Sequence, residues 1–492
     1  MRHPRSSQLI VAVLCGLGVI TAMAPASSLR KNPTWGITTK VGPDADTGGW
    51  YINLGITGAR GKIEVDTPTV IDVTYVFEGT PAFRVLQVGD RITGVNGTSF
   101  TTPHKFGYGM DAFGYEGPMM EFGNALERSQ GDEALAGTLT LSLLRDDKPV
   151  DVEVAIGGGR GAYGRTYPFN CSRTVATLTQ TRDYLASKQN EDGHWHKGRA
   201  HIDTFAALAL LSAGPLYAAQ CERAARAFAA ATDDVIDYGG LDCWKYTLYG
   251  VYLAEYYLAT RERWVIPELE EIDRWLRQAQ MENGGWGHRP AHRPGGNGYG
   301  AFAAMTAQAK LAWGLMMRCG LDIDAERYEA AHTFLQKGTN DIGYLWYKDG
   351  VGHKTNYADM GRTGTSAIAH HVGPRRKPHY RQTARAHAKC IGDNPTTFPD
   401  THGSPLLGMA FTALGTVPDG DSLRKLFDHN RWHFALSQCS DGTFYYQPNR
   451  DNNAQDYHAA PRLSATAATA LILAIGERNL EMTRVARPGR AR

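Results

Sequence analysis

The sequence predicts a multi-domain protein in which a small mainly-β domain precedes an all-α domain built from helix pairs. Within residues 50–157, runs such as 69–77 and 150–156 are rich in β-formers or alternate polar with apolar positions, which is typical of strands. A glycine-rich linker follows at 158–172. Over 173–480 the pattern is that of successive helices, so the fold class changes at the linker.

The composition is that of an ordinary folded protein with balanced charge. Among 492 residues, 52 lysines and arginines face 50 aspartates and glutamates, which gives a net charge of +2. Nucleic-acid binding proteins normally carry a clustered basic excess, so we exclude nucleic acid as a partner. The hydrophobic content of 42% is sufficient for at least one large core.

The N-terminus has the pattern of a signal peptide. Two arginines precede an apolar run at 9–20, and an Ala-Met-Ala sequence with small residues follows it. This run is shorter than the roughly 20 residues of a bilayer-spanning helix, although a membrane anchor remains the alternative. We therefore predict a signal peptide at 1–26, an N-terminal extension at 27–49, and an exported protein, periplasmic or secreted, whose mature chain has no transmembrane span.

Six cysteines lie beyond the predicted signal peptide, at widely spaced positions: Cys171, Cys221, Cys243, Cys319, Cys390 and Cys439. An even count permits disulfides in an oxidising compartment. Free, buried thiols explain the count equally well, because a core of this size needs no covalent links.

Residues 79–97 contain the sequence Gly-Thr-Pro-Ala and then Leu-Gln-Val-Gly-Asp-Arg-Ile-Thr-Gly-Val-Asn-Gly. The Gly-Asp and Asn-Gly pairs supply positive-φ turns on either side of a short strand. The pattern resembles that of bacterial PDZ domains, and this resemblance implies a groove that holds the carboxylate of a peptide terminus on backbone N–H groups. The loop that would do so consists of Leu54, Gly55, Ile56 and Thr57. Such a module binds a peptide terminus or protein partner, or docks against its own neighbouring domain.

Beyond the linker, the predicted helices form six pairs. The more polar members span 173–189, 218–236, 265–281, 325–337, 379–391 and 421–438. The apolar members that follow them span 204–213, 243–259, 300–318, 363–372, 404–415 and 462–476. A helix that is apolar all round must be buried, so the pairs predict an inner ring of six helices inside an outer ring, an (α/α)6 toroid. An open helical solenoid is the alternative.

A repeated motif favours the closed ring. Residues 184–195 and 275–286 share an aromatic and a Leu at the start, then Gln, Gly and Trp at the same spacing, with weaker copies near Gly343 and Gly442. The motif resembles the QW repeat of triterpene cyclases and implies the toroid of terpenoid cyclases and protein prenyltransferase β-subunits. The whole chain resembles a family of exported bacterial proteins that joins a PDZ-like domain to such a toroid, here with a basic tail at 481–492.

In a toroid the inner helices begin around the mouth of a central cavity, where helix N-termini favour anions. The segments predicted to lie there are rich in Asp and His, which provide acid–base chemistry or, for Asp, cap the helices. The candidate catalytic residues are Asp203, Asp359, Asp400, His201 and His402. The candidate ligand contacts in the cavity are Trp195, Trp286, Tyr299 and Arg362.

Part of the sequence resembles the zinc site of prenyltransferase β-subunits. Asp456-Tyr457-His458 matches the segment that carries the histidine ligand of that family, whereas Asp242 and Cys243 are adjacent instead of separated by one residue. The resemblance implies a zinc site formed by Asp242, Cys243 and His458. Zinc is the one cofactor that the sequence suggests.

These features leave two classes of function open. The first is an exported binding or scaffold protein, with the PDZ-like module on a peptide terminus or partner and an unidentified ligand, a polysaccharide or a small molecule, in the toroid. The alternative is a toroid enzyme that acts on a polysaccharide as a hydrolase or lyase. A prenyl or terpenoid transferase or cyclase is a further option, but of the acidic motif of squalene-type cyclases only Asp203-Thr204 is present. Carboxylates and histidines that converge inside an open cavity would favour an enzyme.

Overall fold

The structure is a computed structural model that describes residues 52–484, apart from 65, 105–116, 158–160, 197, 233–240, 292–298, 353–358, 375, 400, 402–403, 446 and 448–459. The predicted signal peptide, the N-terminal extension and most of the basic tail lie outside the described residues. So do three candidate site residues, Asp400, His402 and His458.

The N-terminal part contains a seven-stranded antiparallel sheet. Its strands are β1 (Ile52–Asn53), β2 (Ala59–Lys62), β3 (Ile71–Val76), β4 (Arg91–Val95), β5 (Thr98–Ser99), β6 (Thr138–Arg145) and β7 (Lys148–Ala155). They lie in the order β1-β2-β3-β4-β6-β7, with β5 paired to β4. Helix α1 (Pro118–Gly131) packs on β4 and β6. The turns predicted from the sequence are present, since Gly89, Asn96 and Gly97 adopt positive φ.

The remainder is helical, as predicted. The outer helices are α2 (Ser172–Lys188), α4 (Ala218–Ala230), α6 (Val265–Ala279), α8 (Ala325–Lys337), α10 (Pro378–Asp393) and the pair α12 (Gly420–His429) and α13 (Arg431–Ser437). The inner helices are α3 (Ala200–Leu211), α5 (Asp242–Thr260), α7 (Ala303–Cys319), α9 (Gly361–Val372), α11 (Pro405–Leu414) and α14 (Pro461–Ala474). No helix that the structure describes combines the length and apolar character needed to cross a bilayer.

The inner helices form a closed ring. Helix α3 contacts α5, α5 contacts α7, and the sequence of contacts continues through α9, α11 and α14 back to α3. The burial patterns explain this arrangement, because every residue of α3 from Ile202 to Leu211 is buried. In the outer helix α6, by contrast, burial follows one face that includes Val265, Leu269 and Ile272. The open-solenoid alternative is therefore excluded.

Four turns between outer and inner helices share a glycine with positive φ: Gly193, Gly284, Gly343 and Gly442. Each glycine lies against another outer helix, and a Cβ at Gly284 would be 2.5 Å from the Ala330 carbonyl oxygen of α8. A Cβ at Gly442 would be 2.3 Å from Gln180 Oε1 of α2, so the last of these turns contacts the first outer helix. A side chain at these positions would be both strained and in conflict with the neighbouring helix.

The Gln and Trp of the repeated motif fix the turns at Gly193 and Gly284. The Gln280 side chain donates to the Gly284 carbonyl at 2.9 Å and to the Arg327 carbonyl of α8 at 3.0 Å. The Trp286 indole N–H donates to the Leu276 carbonyl at 3.0 Å. In this way one turn satisfies carbonyl groups from its own helix, its own loop and the adjacent outer helix.

The sheet domain docks directly on the toroid. Residues 55–57 and α1 contact α13, and the Asn53 side chain donates to the carbonyls of Leu436 at 2.9 Å and Gln438 at 3.2 Å. A Cβ at Gly123 in α1 would lie 2.6 Å from the Trp432 carbonyl oxygen of α13. Because the two backbones meet this closely, one continuous hydrophobic core runs through both domains.

All six cysteines that lie beyond the predicted signal peptide are buried free thiols. The alternative of one or two disulfides is thereby set aside, and the large core supplies the stability instead.

A buried carboxylate links the end of the toroid to an inner helix. Glu255 of α5 is 2% exposed and accepts backbone N–H groups from Glu481 at 2.8 Å and Met482 at 2.9 Å. Burial raises the pKa of Glu255 to about 7, although the two N–H donors oppose the shift.

Replacement of Gly123 by Val is expected to weaken the docking of the sheet domain, because the added carbons meet the Trp432 backbone. We expect a loss of about 1–3 kcal/mol in the free energy of unfolding, measured by denaturant titration. The matched control is Arg128→Val at an exposed position of the same helix. Equal stability of the two variants would contradict close packing at this interface.

Glu255 should also make the stability depend on pH. Its pKa in the folded state exceeds the unfolded value of about 4.5, so its contribution is fully present below pH 4.5 and is lost as pH rises to about 7. Between pH 5 and pH 8 the wild type should lose about 2.5 kcal/mol that Glu255→Gln does not lose, measured by denaturant unfolding at both pH values. Glu282→Gln, at an exposed position, is the control and should behave as the wild type does.

Candidate functional site

A cavity of about 900 Å³ lies at the end of the ring where the inner helices begin. Its lining includes residues from the first turns of α3, α5, α7, α9 and α11, as expected for the mouth of a toroid. The side chains that can take part in chemistry or recognition include Asp192, His194, Arg199, His201, Asp242, Trp244, Lys245, Tyr249, His288, Tyr299, Phe302, Gln308, Tyr347, Asp359, Arg362, Thr365 and Ser404.

One side of the cavity is aromatic. The rings of Phe302 and Tyr347 are nearly parallel, with 5.6 Å between their centroids, and the Tyr299 and Tyr347 hydroxyl oxygens are 2.9 Å apart. Burial and the hydrogen bond with Tyr299 raise the pKa of Tyr347, so its hydroxyl stays protonated at neutral pH. Trp244 completes this surface, with its ring centroid 6.0 Å from that of Phe302.

His288 is held as a neutral imidazole beside these rings. The Trp244 indole N–H donates to His288 Nδ1 over 2.9 Å, which requires a lone pair on Nδ1 and places the proton on Nε2. Burial lowers the pKa of His288, and Arg289 lowers it further. His288 therefore lines the cavity as an uncharged group with a defined tautomer.

Asp203, expected to be catalytic, is fully buried and positions another residue instead. Its carboxylate accepts the backbone N–H groups of Trp195 and His196 at 2.7 and 2.9 Å, and the Tyr249 hydroxyl at 3.0 Å. Asp203 Oδ2 also lies 2.9 Å from Nδ1 of His194. A carboxylate only accepts, so Nδ1 of His194 carries the proton and Asp203 fixes the ring of a residue that lines the cavity.

Asp242 is the first residue of α5, and Leu241 occupies the N-cap position. Simple helix capping therefore does not account for Asp242, which is 8% exposed and lines the cavity. The adjacent Cys243 is fully buried, and burial, with a smaller contribution from Asp242, raises the pKa of its thiol well above the ordinary value. Cys243 does not line the cavity, and the third residue of the predicted zinc site, His458, lies outside the described residues.

Asp359 and Arg362 form an ion pair at the start of α9, with 2.5 Å between Arg362 Nη1 and Asp359 Oδ2. The guanidinium also donates to the Leu345 carbonyl at 2.8 Å and to the Tyr344 hydroxyl at 2.6 Å. Asp359 itself adopts a φ of +60°, outside the helix that begins at Gly361. The pair is thus held in one orientation beside the cavity, and Asp359 is not an N-cap.

Two predicted ligand contacts do not reach the cavity. Trp195 is 5% exposed and donates its indole N–H to the Leu185 carbonyl at 2.7 Å, and Trp286 is fully buried in the equivalent turn. Both indoles belong to the repeated turns. Of the other expected residues, His201 and Tyr299 do line the cavity.

The roles of His194 and His288 could not be assigned from the sequence. Histidines accumulate in most of the loops near the predicted mouth, and no local motif separates a wall residue from a solvated one. The signal that could have identified His194 is its place one residue before the motif Trp, since the Asp203 carboxylate holds both residues of that turn.

A family model described as "Domain of unknown function (DUF6288)" matches residues 174–483, which is the toroid. No curated protein matches the chain.

Several solved structures share a helical architecture over about three fifths of this chain. An inactive variant of the alpha-1,6-mannanase GH76A of Salegentibacter sp. HEL1_6, in complex with alpha-1,6-mannotriose, is 11% identical, with a TM-score of 0.46 over 62% of this chain and 99% of that chain. A variant of the type II terpene cyclase MstE from Scytonema, in complex with geranylgeranyl dihydroxybenzoate, is also 11% identical, with a TM-score of 0.43 over 62% and 98%. Cellobiose 2-epimerase from Bacillus thermoamylovorans B4167 is 13% identical, with a TM-score of 0.39 over 60% and 98%. These values carry no information about the chemistry of this chain.

The contacts of Asp203 predict a structural effect for Asp203→Asn. The amide would present its NH₂ group to donors that now meet a carboxylate oxygen, so we expect a loss of about 2–3 kcal/mol in the free energy of unfolding. Thermal and denaturant unfolding would measure the change, with Asp341→Asn, an exposed carboxylate in another of the turns, as the control. A variant as stable as this control would show that Asp203 does not hold the turn.

Proposed function

We propose that this chain, which belongs to the family described as a domain of unknown function (DUF6288), is an exported enzyme that cleaves a polysaccharide in the cavity of its toroid. The observation that carries the proposal is the pairing of an aromatic surface with carboxylates, Asp242 and Asp359 among them, in one cavity of about 900 Å³. Export rests on the sequence pattern of residues 1–26.

The cavity surface suits sugar rings better than a lipid. A pyranose ring has apolar C–H faces that pack on aromatic rings and hydroxyl groups that need hydrogen bonds. Trp244, Tyr299 and Phe302 offer such faces, and the polar side chains of Lys245 and Gln308 line the same cavity. A prenyl chain offers no hydrogen bonds to the polar side chains that line this cavity.

The chemistry assigned to the site is acid–base cleavage of a glycosidic bond. Such cleavage uses one carboxyl group that protonates the leaving oxygen and a second, ionised group that activates water or attacks the sugar carbon. Asp359 is paired with Arg362, so we assign it the ionised role, and Asp242 becomes the proton donor. In a lyase reaction, His194 would instead remove a proton from the sugar, since Asp203 holds its Nδ1–H and directs the basic lone pair to Nε2.

For the N-terminal domain, we propose a PDZ-like module that serves as an intramolecular dock. The supporting observations are the strand order, helix α1 and the two glycine-containing turns. The loop predicted to hold a peptide carboxylate, residues 54–57, is buried, and a Cβ at Gly55 would be 2.9 Å from the Ala435 carbonyl of α13. The toroid itself therefore covers this loop, so peptide-end binding is not part of the proposal.

The test is depolymerisation of neutral and acidic polysaccharides by the purified chain, followed by reducing-end release and, for lyases, by the absorbance of the unsaturated product. Asp242→Asn and Asp359→Asn should each lower kcat by about 100-fold or more, since general acid–base groups contribute factors of that size. Loss of activity with retained oligosaccharide binding would assign chemistry to these carboxylates, with Asp341→Asn as the matched control.

The binding or scaffold alternative predicts a different result. Saturable oligosaccharide binding without any cleavage by the wild type would favour that alternative. Cleavage that survives in both Asn variants would place the chemistry elsewhere and overturn the assignment of Asp242 and Asp359.

A further inference from the structure

A second group of titratable side chains lies outside the central cavity, between the outer helices α8 and α10. Glu329 and His332 belong to α8, and His379 is in the first turn of α10. One donor atom from each of the three lies within 4.8 Å of the other two. None of the three lines the central cavity, so this cluster is separate from the proposed active site.

Hydrogen bonds define which nitrogen of His332 carries a proton. His370 is buried, and its Nδ1 lies 2.7 Å from the Ser366 carbonyl, which only accepts, so the proton is on Nδ1. In the neutral ring Nε2 then accepts, and its partner over 2.8 Å is Nδ1 of His332. The lone pair of His332 is therefore on Nε2, the atom not engaged with His370. Metal-bound histidines typically donate their second N–H in this way.

Glu329 has one carboxylate oxygen that is held by hydrogen bonds, and His379 has a ring nitrogen that makes none within the described residues. Glu329 Oε2 accepts the Tyr380 hydroxyl and the Lys377 ammonium, each at 2.7 Å. Glu329 Oε1 is 3.6 Å from His379 Nε2, which is longer than a hydrogen bond. His379 Nε2 is shielded from solvent and makes no hydrogen bond to any group in the described part of the chain. A buried nitrogen of this kind calls for a partner.

The nearby lysine does not oppose a cation. Lys310 of α7 is fully buried, with its Nζ 3.2 Å from the centroid of the Tyr328 ring and 3.4 Å from the Tyr328 carbonyl. Burial lowers the pKa of Lys310 well below its ordinary value, which favours the neutral amine. The charge beside the cluster is thus mainly that of Glu329 and Lys377.

We propose that Glu329, His332 and His379 form a zinc site, with Oε1 of Glu329 and Nε2 of each histidine as ligands. Two imidazoles and a carboxylate are a donor set that zinc prefers, and a water molecule would complete the tetrahedron. Ligand bonds of about 2.0–2.2 Å require the three donor atoms to approach to roughly 3.3 Å. Rotation of the partly exposed Glu329 and His379 side chains provides that movement, and the bound ion would link α8 to α10. The site is independent of the proposed function.

The experiment is zinc titration of the full chain after removal of metal with a chelator, followed by calorimetry and by metal analysis of the dialysed protein. We expect one zinc ion per chain, a rise in Tm with zinc, and a Co²⁺ derivative with the absorption of a tetrahedral site. His379→Ala and Glu329→Gln should weaken zinc binding by at least about tenfold. His429→Ala, at a partly exposed histidine of α12, should bind as the wild type does.

Folding of the variants is checked by comparing the Tm of each metal-free variant with that of the metal-free wild type. Variants that match in Tm but lose zinc would support the site. Two outcomes would overturn it: a wild type that shows no saturable zinc binding, or zinc that remains equally tight in both ligand variants. In the second case, loss of zinc in Asp242→Ala would place the ion in the central cavity.

Discussion

The close approach of inner helices is the constraint on which the rest of the structure depends. Helices α9 and α11 meet backbone to backbone, because a Cβ at Gly364 would lie 2.1 Å from the Phe411 carbonyl oxygen and a Cβ at Gly361 would lie 2.5 Å from Gly408 Cα. Helices with larger residues at these positions would be forced apart. The six inner helices form a closed ring. A larger distance between two neighbouring helices would therefore require the other helices to change their packing. The alanine-rich sequences of the inner helices satisfy the same requirement.

Polar side chains then secure the ring where its last and first helices meet. Arg182 of α2 is 5% exposed and donates to the Ala209 carbonyl at 2.8 Å and to Ser212 Oγ at 2.7 Å, both at the end of α3. The same guanidinium pairs with Glu477, which follows α14. One arginine thus joins the first outer helix, the first inner helix and the last one. Removal of Glu477 would leave the buried charge of Arg182 unpaired, which is unfavourable. The contact therefore stabilises the closed ring and disfavours arrangements in which the first and last helices are apart.

Most of the architecture could be predicted from the sequence because it depends on periodicity, which is a local property. The bounds of the inner helices agree with the apolar segments, as for α9, predicted at 363–372 and observed at Gly361–Val372.

The direction in which an individual side chain points could not be predicted, because it depends on residues that are distant in the sequence. Asp203 lies within an apolar helix near the cavity, yet its carboxylate faces the turn at residues 195–196. The cluster of Glu329, His332 and His379 escapes prediction for a related reason, since its members come from two helices whose packing the sequence does not specify.

The sheet domain packs against the outer ring where the last outer segment is broken into two short helices. The last outer segment is divided into α12 and α13 at Asn430, and α13 has only seven residues, too few to be stable by its own hydrogen bonds. Its Trp432 is nevertheless 1% exposed, and α1 contacts this helix along with residues 55–57. Residues 55–57 and α1 thus cover a helix that is too short to be stable by itself. The same chain supplies both, and one continuous hydrophobic core runs through the two domains.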